Sequence, residues 1–271
     1  MDSRPIGVFD SGLGGLTAVR ELTALLPGED IIYFGDTGLV PYGGRSRETI
    51  IQYARQDVAF LRSFDLKAIV IACGTVSSTA MEVLERENPI PIIGVVEPSA
   101  QAAAQASRNG VIGLIGTQAT IRTGAYLRRI LALRPDARLI DVPCPLLVPL
   151  VENGRFRPGD IVVETVVGEY LSPIKAAGAD TLVLGCTHYP LLQEVISREM
   201  GPGVTLINSG AQGAQAVLRR LTALDALNEP IRRGSCRYFV SDSIGSFVSL
   251  ASIFLGHDVT GEVAQVDITR Y

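Results

Sequence analysis

Lysine and histidine are almost missing from this chain of 271 residues: only Lys67 and Lys175, and only His188 and His257, occur. Each lysine falls late in a helical pattern, just before an expected strand, where a solvated cation near a helix C-terminus is ordinary. A pyridoxal Schiff base needs a lysine at the reaction centre, and neither position suits one. Two histidines exclude a histidine-rich metal site, and the four cysteines lie singly, without the C-x-x-C spacing of a zinc or redox motif. Neither metal nor organic cofactor is therefore expected. There is no run of 18 uncharged apolar residues, and Met1-Asp-Ser-Arg-Pro leads directly into a strand, so no signal peptide and no membrane partner are expected. Basic charge is not in excess either: 24 Lys and Arg against 28 Asp and Glu leave a net charge of −4 with no basic stripe, which argues against nucleic acid as the main partner. A cytoplasmic chain with reduced thiols is the expectation.

Apolar residues are plentiful, at 47% of the chain, enough for one or two globular domains. Apolar runs at 5–9, 30–34, 67–72, 91–95, 111–115, 138–142, 180–184, 203–207 and 236–240 read as strands. Helical patterns near 14–26, 46–64, 76–87, 97–108, 119–133, 159–177, 189–200 and 211–223 separate the first eight from their successors. A last helix is expected over 241–255, followed by a short tail. This alternation argues for an α/β fold of parallel sheets flanked by helices.

The pattern repeats. Ile6-Gly-Val-Phe-Asp10 matches Ile112-Gly-Leu-Ile-Gly116 at an offset of 106, and Ile31-Ile-Tyr-Phe-Gly-Asp36 precedes Leu139-Ile-Asp-Val-Pro-Cys144 by 108. Ala68-Ile-Val-Ile-Ala-Cys73-Gly-Thr75 and Thr181-Leu-Val-Leu-Gly-Cys186-Thr-His188 stand 113 apart. One reading is that all parallel strands look alike; the other, preferred here, is a duplicated unit and two pseudo-symmetric domains. The expected division is residues 1–94 with 208–271 for a discontinuous first domain and 95–207 for the second, with the active site in the cleft between them.

Cys73 and Cys186 each end an apolar run and precede a helical pattern, where a parallel sheet presents ligand-binding residues. A helix N-terminus lowers a thiol pKa from about 8.5 towards neutrality, making each a candidate nucleophile or base. A single buried cysteine at such a place is usually packing; the matched pair points to chemistry. Cys144 and Cys236 lack this setting and read as structural. His188, two residues after Cys186, can exchange a proton near neutral pH, while His257 reads as a surface turn residue. Asp10-Ser11-Gly-Leu-Gly-Gly15 follows a strand and opens a helix. Either it is a tight turn or its glycines let backbone N–H groups reach an anion. Asp10 favours a proton-handling role, and Thr17 spoils the dinucleotide fingerprint. Thr75, Thr117, Thr120 and Thr187 stand at strand-to-helix junctions, able to cap helices and to bind a carboxylate. Tyr42-Gly43 offers backbone donors and a phenol at the same sheet edge. Glu152 reads on its own as a solvated loop acid.

Taken in order, G-V-F-D-S-G-L-G-G-L-T, Y-F-G-D-T, V-P-Y-G, I-A-C-G-T, I-G-L-I-G-T-Q-A-T-I, C-P-L-L-V-P-L-V-E-N-G and V-L-G-C-T-H-Y-P-L-L resemble the glutamate racemases, cofactor-independent isomerases of bacterial cell-wall synthesis. The resemblance spans residues 7 to 192. It implies two pseudo-symmetric α/β lobes with glutamate between them, a homodimer, and D-glutamate made for peptidoglycan. It implies that Cys73 takes the α-proton from D-glutamate and Cys186 from L-glutamate, with Asp10 assisting the first thiol and His188 and Glu152 the second. It places Asp10, Ser11, Tyr42, Gly43, Gly74, Thr75, Thr117, Thr120, Thr187 and His188 around the substrate. The chemistry agrees: inverting a centre by deprotonation needs bases on opposite faces, one thiolate and one thiol at a time, with the carbanion stabilised by preorganised donors.

Two positions depart from the family. Gly74 stands where Asn is usual, which removes a side-chain hydrogen bond to the substrate worth about 1.5–3 kcal/mol; restoring Asn is expected to improve glutamate use. Asn208 stands where Asp is frequent. The chain also lacks the N-terminal extension of members activated by a cell-wall precursor, so that regulation is not expected. Two readings compete with glutamate racemisation: a related racemase for aspartate, another amino acid or a hydantoin, and a non-catalytic racemase-like binding or regulatory protein.

Overall fold

A strand buried on both faces reads as an uninterrupted apolar run, and the runs found in the sequence become parallel strands. The computed structural model describes residues 2–228, 233–259 and 261–271. Its strands are β1 (Ile6–Asp10), β2 (Ile31–Gly35), β3 (Ala68–Ile71), β4 (Ile92–Gly94), β5 (Val111–Gly116), β6 (Arg138–Pro143), β7 (Thr181–Leu184), β8 (Thr205–Asn208), β9 (Cys236–Val240) and β10 (Val263–Gln265). They form two sheets, ordered β10-β9-β2-β1-β3-β4 and β6-β5-β7-β8.

The sequence repeat is a repeat of topology. The order β2-β1-β3-β4 recurs as β6-β5-β7-β8. Ile6 pairs with Ile31 and Ala68, and its match Ile112 pairs with Leu139 and Thr181. Helices cover both sheets, so the fold is α/β with two pseudo-symmetric halves. The chain after β8 adds β9 and β10 to the first sheet. Alternation along the strands divides the core: Ile6, Val8, Tyr33 and Val70 face one layer of helices, while Phe9, Ile32, Phe34 and Ile71 face the other.

Several local expectations change. The helix expected over 76–87 breaks at Ala80 into Gly74–Thr79 and Met81–Glu87. That over 119–133 breaks at Gly124, whose φ of 63° is the left-handed conformation glycine accepts readily. The stretch around Glu152 is not a loop: Leu147–Glu152 is a short helix. The expected short tail contains β10, a three-residue strand. Asn208 caps the helix Ser209–Ala223, accepting from the N–H of Gly210 and of Ala211, and its amide lies 3.4 Å from Glu21 Oε1, to which it is placed to donate. An aspartate there would face Glu21 with like charge.

Lys67 is the clearest correction. It is not solvated but buried, 2.5 Å from Glu29, with Nζ also donating to the carbonyls of Asp2 (2.8 Å) and Ala226 (2.9 Å). Its ammonium is thereby saturated, the condition under which a charge is tolerated inside a protein. Lys175 is solvated and pairs with Glu199, and His257 is exposed as expected.

Candidate active site

The parallel strands bring their carboxyl ends together, and the candidate residues sit there. β1 ends in Asp10, β3 leads to Cys73, β5 leads to Thr117 and β7 leads to Cys186. These segments border a cavity of about 370 Å³, the size of a small metabolite site. Ser11, Tyr42, Gly43, Cys73, Gly74, Thr75, Thr117, Glu152, Cys186, Thr187 and His188 line it. Asp10 and Thr120, both about 1% exposed, stand behind that lining. A larger cleft of about 540 Å³, bordered in part by Arg47, Glu85, Glu97 and Arg128, contains no cysteine; the thiols of Cys73 and Cys186 border the smaller one. Among the described residues no group of three or more His, Cys, Asp and Glu side chains is arranged to hold a metal, and no helix is long and apolar enough to cross a membrane.

The two thiols are set differently. Cys73 Sγ lies 3.2 Å from Ser11 Oγ. Burial, then the negative charge of Asp10, pushes this thiol up to about 12, against the lowering from Ser11 and the backbone of Val76. The expected depression by the helix N-terminus does not prevail for Cys73. The helix it caps, Gly74–Thr79, is short, and a dry site beside a carboxyl outweighs it. Cys186 Sγ lies 3.9 Å from His188 Nδ1, whose other ring nitrogen lies 3.0 Å from Glu152 Oε1. Burial alone would lower the His188 pKa, but the hydrogen bonds and charges of Cys186 and Glu152 outweigh it and raise it to about 10. These partners favour the protonated imidazole, which stands beside one thiol and not the other.

The glycine-rich turn after β1 does not leave an empty anion cradle. Its N–H groups turn on the chain's own carboxylate: the Gly12 N–H donates to Asp10 Oδ2 at 3.1 Å, and the Gly15 N–H also reaches Asp10. Burial still raises the Asp10 pKa, opposed by the His188 charge and these bonds. Gly14 permits close approach of the second half: a Cβ there would collide with Thr187 Oγ1 and His188 Nδ1. Thr187 Oγ1 lies 3.4 Å from Asp10 Oδ1, and Thr17 Oγ1 lies 2.8 Å from Thr187 O. The acid beside Cys73 is thus wired to the loop that carries Cys186.

The threonines form a second bridge. Thr75 Oγ1 and Thr117 Oγ1 are 2.9 Å apart, Thr117 Oγ1 and Thr120 Oγ1 3.0 Å, and the Thr120 N–H donates to Thr117 Oγ1 at 3.2 Å. Thr117 caps its helix and lines the cavity at once. The two thiol loops also touch backbone to backbone, because a Cβ on Gly74 would overlap the Gly185 carbonyl.

Cys144 and Tyr42 also border the cavity. Cys144, which reads as structural in the sequence, lines it, and burial, then Cys186, raises its thiol to about 12. The Tyr42 phenol is buried and turned to Asp36 and Asp57, so it is not offered to a ligand. Asp57 and Ser241 (the latter at the end of β9) escaped the sequence reading. The available signal for Asp57 was its place on the buried face Ile50, Ile51, Ala54, Val58, Leu61, where an acid is out of pattern.

Comparison with known proteins decides the family. The family model described as Asp/Glu/Hydantoin racemase matches residues 16–217. The chain belongs to the Asp/Glu/hydantoin racemase family. This racemase is 43% identical to the glutamate racemase of Geobacter metallireducens over 268 residues, covering 99% of this chain and 98% of that protein. Its fold matches glutamate racemase isoform RacE1 of Bacillus anthracis with a TM-score of 0.93 at 37% identity, over 98% of each chain. It also matches the Francisella tularensis glutamate racemase, solved in complex with D-glutamate, with a TM-score of 0.91 at 36% identity over the whole of both chains. The racemase is an isomerase, and the resemblance read from its motifs extends over the full chain.

Proposed function

We propose that this racemase interconverts L- and D-glutamate by a two-base mechanism, with Cys73 and Cys186 as the bases. The observation that carries the proposal is the pair of matched strand ends that deliver two unlike thiols to one cavity. Full-length similarity to glutamate racemases supports glutamate as the substrate. Residues 1–94 with 208–271, and 95–207, are the two lobes of this reading, and their closure keeps the cavity dry. Ser11, Thr75, Thr117 and Thr187, with backbone N–H groups at Gly43 and Gly74, supply donors for the substrate carboxylates. Asp10 and Thr120 support that lining from behind.

The unlike surroundings of the two thiols support distinct partners for each proton transfer. Cys73 is a thiol, able to give a proton, because its pKa lies at about 12. His188, anchored by Glu152, stands beside Cys186 and is the proton-handling partner on that side of the cavity. With L-glutamate, Cys186 removes the α-proton, and Cys73 protonates the opposite face. The product state, with the thiolate at Cys73, is the one that accepts D-glutamate. Asp10 takes part by exchanging its proton within the Cys73 site. No cofactor enters this scheme, and the reading extends to a cytoplasmic homodimer that provides D-glutamate for peptidoglycan.

The test is a substrate panel followed by chiral chromatography, with and without chelator and added pyridoxal phosphate. Glutamate of either hand should racemise at a rate that neither addition changes. Turnover of aspartate, another amino acid or a hydantoin in preference to glutamate would overturn the substrate assignment. Inactivity across the panel would favour a binding role.

A further inference from the structure

Beneath the cavity lies a buried acid cluster that the reaction scheme leaves unused. Tyr42 Oη is 2.5 Å from Asp36 Oδ2 and 2.9 Å from Asp57 Oδ2. All three residues are at most 1% exposed. A phenol carries one hydrogen, so two O···O contacts at these distances need a second hydrogen, and it must sit on a carboxyl. Asp36 is the better acceptor. Its Oδ1 takes the Ser241 hydroxyl at 2.6 Å, while Ser241 Oγ itself accepts the Gly38 N–H at 2.8 Å. Asp57 sits on the buried face of the helix Arg47–Leu61 among Ile50, Ala54, Val58 and Leu61, and its Oδ1 has no hydrogen-bond partner among the described residues. A bare carboxylate oxygen in that setting is costly, whereas the carbonyl of a neutral acid is tolerable. The charges that act on Asp57 are those of Asp36 and Asp10, both negative.

We propose that Asp57 is a positioning residue of the active site: held as a carboxylic acid, it donates to Tyr42 and through that bond fixes the 40–44 segment against the substrate. Burial, then the charge of Asp36, pushes the Asp57 pKa well above the usual carboxylate range, in agreement with the count of hydrogens. The 40–44 segment borders the cavity from Val40 to Gly44. It also meets the other half of the molecule, since a Cβ on Gly43 would stand 2.9 Å from Thr117 Cβ. A slack Tyr42 would therefore loosen both the substrate donors and the Gly43–Thr117 contact. This inference rests on the proposed reaction for its consequence, though not for its geometry.

Infrared spectroscopy and steady-state kinetics test it together. Wild-type protein without substrate, at neutral pH, should show a carboxylic-acid C=O band that disappears in Asp57→Asn. Asp57→Asn keeps shape, neutrality and a donor, so it should hold KM for glutamate within about threefold of wild type. Tyr42→Phe, which deletes the link, should raise KM about tenfold, with a smaller change in kcat. Asp57→Ala should do the same where it folds. Absence of the acid band, or wild-type KM in Tyr42→Phe, would overturn the inference. The band is read without substrate, so its loss is distinguishable from a failure of the reaction assignment, which would appear as wild-type protein inactive on glutamate with the band intact.

Discussion

Replacing either Cys73 or Cys186 with alanine is expected to lower glutamate racemisation in both directions by at least about 10³-fold, towards the upper end of what a positioned acid or base contributes. Both directions must fall because each thiol is the base of one and the acid of the other. The carbanion formed by the surviving thiolate has no proton donor on its far face, so it recovers a proton on the face that lost it. Any residual exchange in Cys73→Ala should therefore be confined to L-glutamate, and in Cys186→Ala to D-glutamate. Cys144→Ala serves as the control. Its thiol lines the same cavity and is also pushed up to about 12, but it has neither the Ser11 contact of Cys73 nor the His188 contact of Cys186. Chiral chromatography of the three variants checks this; racemisation by either single variant near the wild-type rate would rule out the two-base account.

Gly74→Asn is expected to lower kcat/KM for glutamate by about 10²-fold, the opposite of what the motif comparison alone implies. The motif supplies only a missing side-chain hydrogen bond. The structure adds that the Cα of Gly74 lies against the Gly185 carbonyl, where a Cβ would overlap the oxygen and stand 3.3 Å from the carbonyl carbon. Gly185 has little room to retreat, because its N–H donates to Ile115 O at 2.8 Å and a Cβ of its own would stand 2.7 Å from that oxygen. Restoring van der Waals distance parts the two thiol loops by about an ångström, and a misplacement of about 1 Å at a reacting centre costs about 10²-fold. Gly74→Ala should show most of the same loss, since the clash belongs to Cβ. A gain in glutamate turnover by Gly74→Asn would mean that the loops yield and that a side-chain contact to substrate outweighs the clash.

The strands were legible because buried parallel strands carry their signature in consecutive residues. Even the register was implicit, since Ile6 and Ile112, matched in sequence, pair with Ile31 and Leu139. β10 was not legible, because Val263-Ala-Gln265 is too short to show a pattern, and Pro149 disguised the helix Leu147–Glu152. The strand ends that carry the two thiols, and their neighbours within two residues, were legible in the sequence. What distant residues do to them was not. Burial and Asp10 raise Cys73, 63 residues away in the chain, and Glu29 draws Lys67 inward. The Gly74–Gly185 contact likewise joins positions that no local pattern connects.

The central claim is that two thiols on opposite faces of one carbon exchange its proton. The most direct measurement is proton NMR of the purified protein in D2O, with L-glutamate and D-glutamate offered separately and the product resolved by chirality. The account predicts that both enantiomers lose the α-proton signal, that the inverted product carries deuterium at the α-carbon from its first appearance, and that Cys73→Ala and Cys186→Ala stop inversion. Product that retains the original α-proton, or interconversion that survives loss of either thiol, would contradict it.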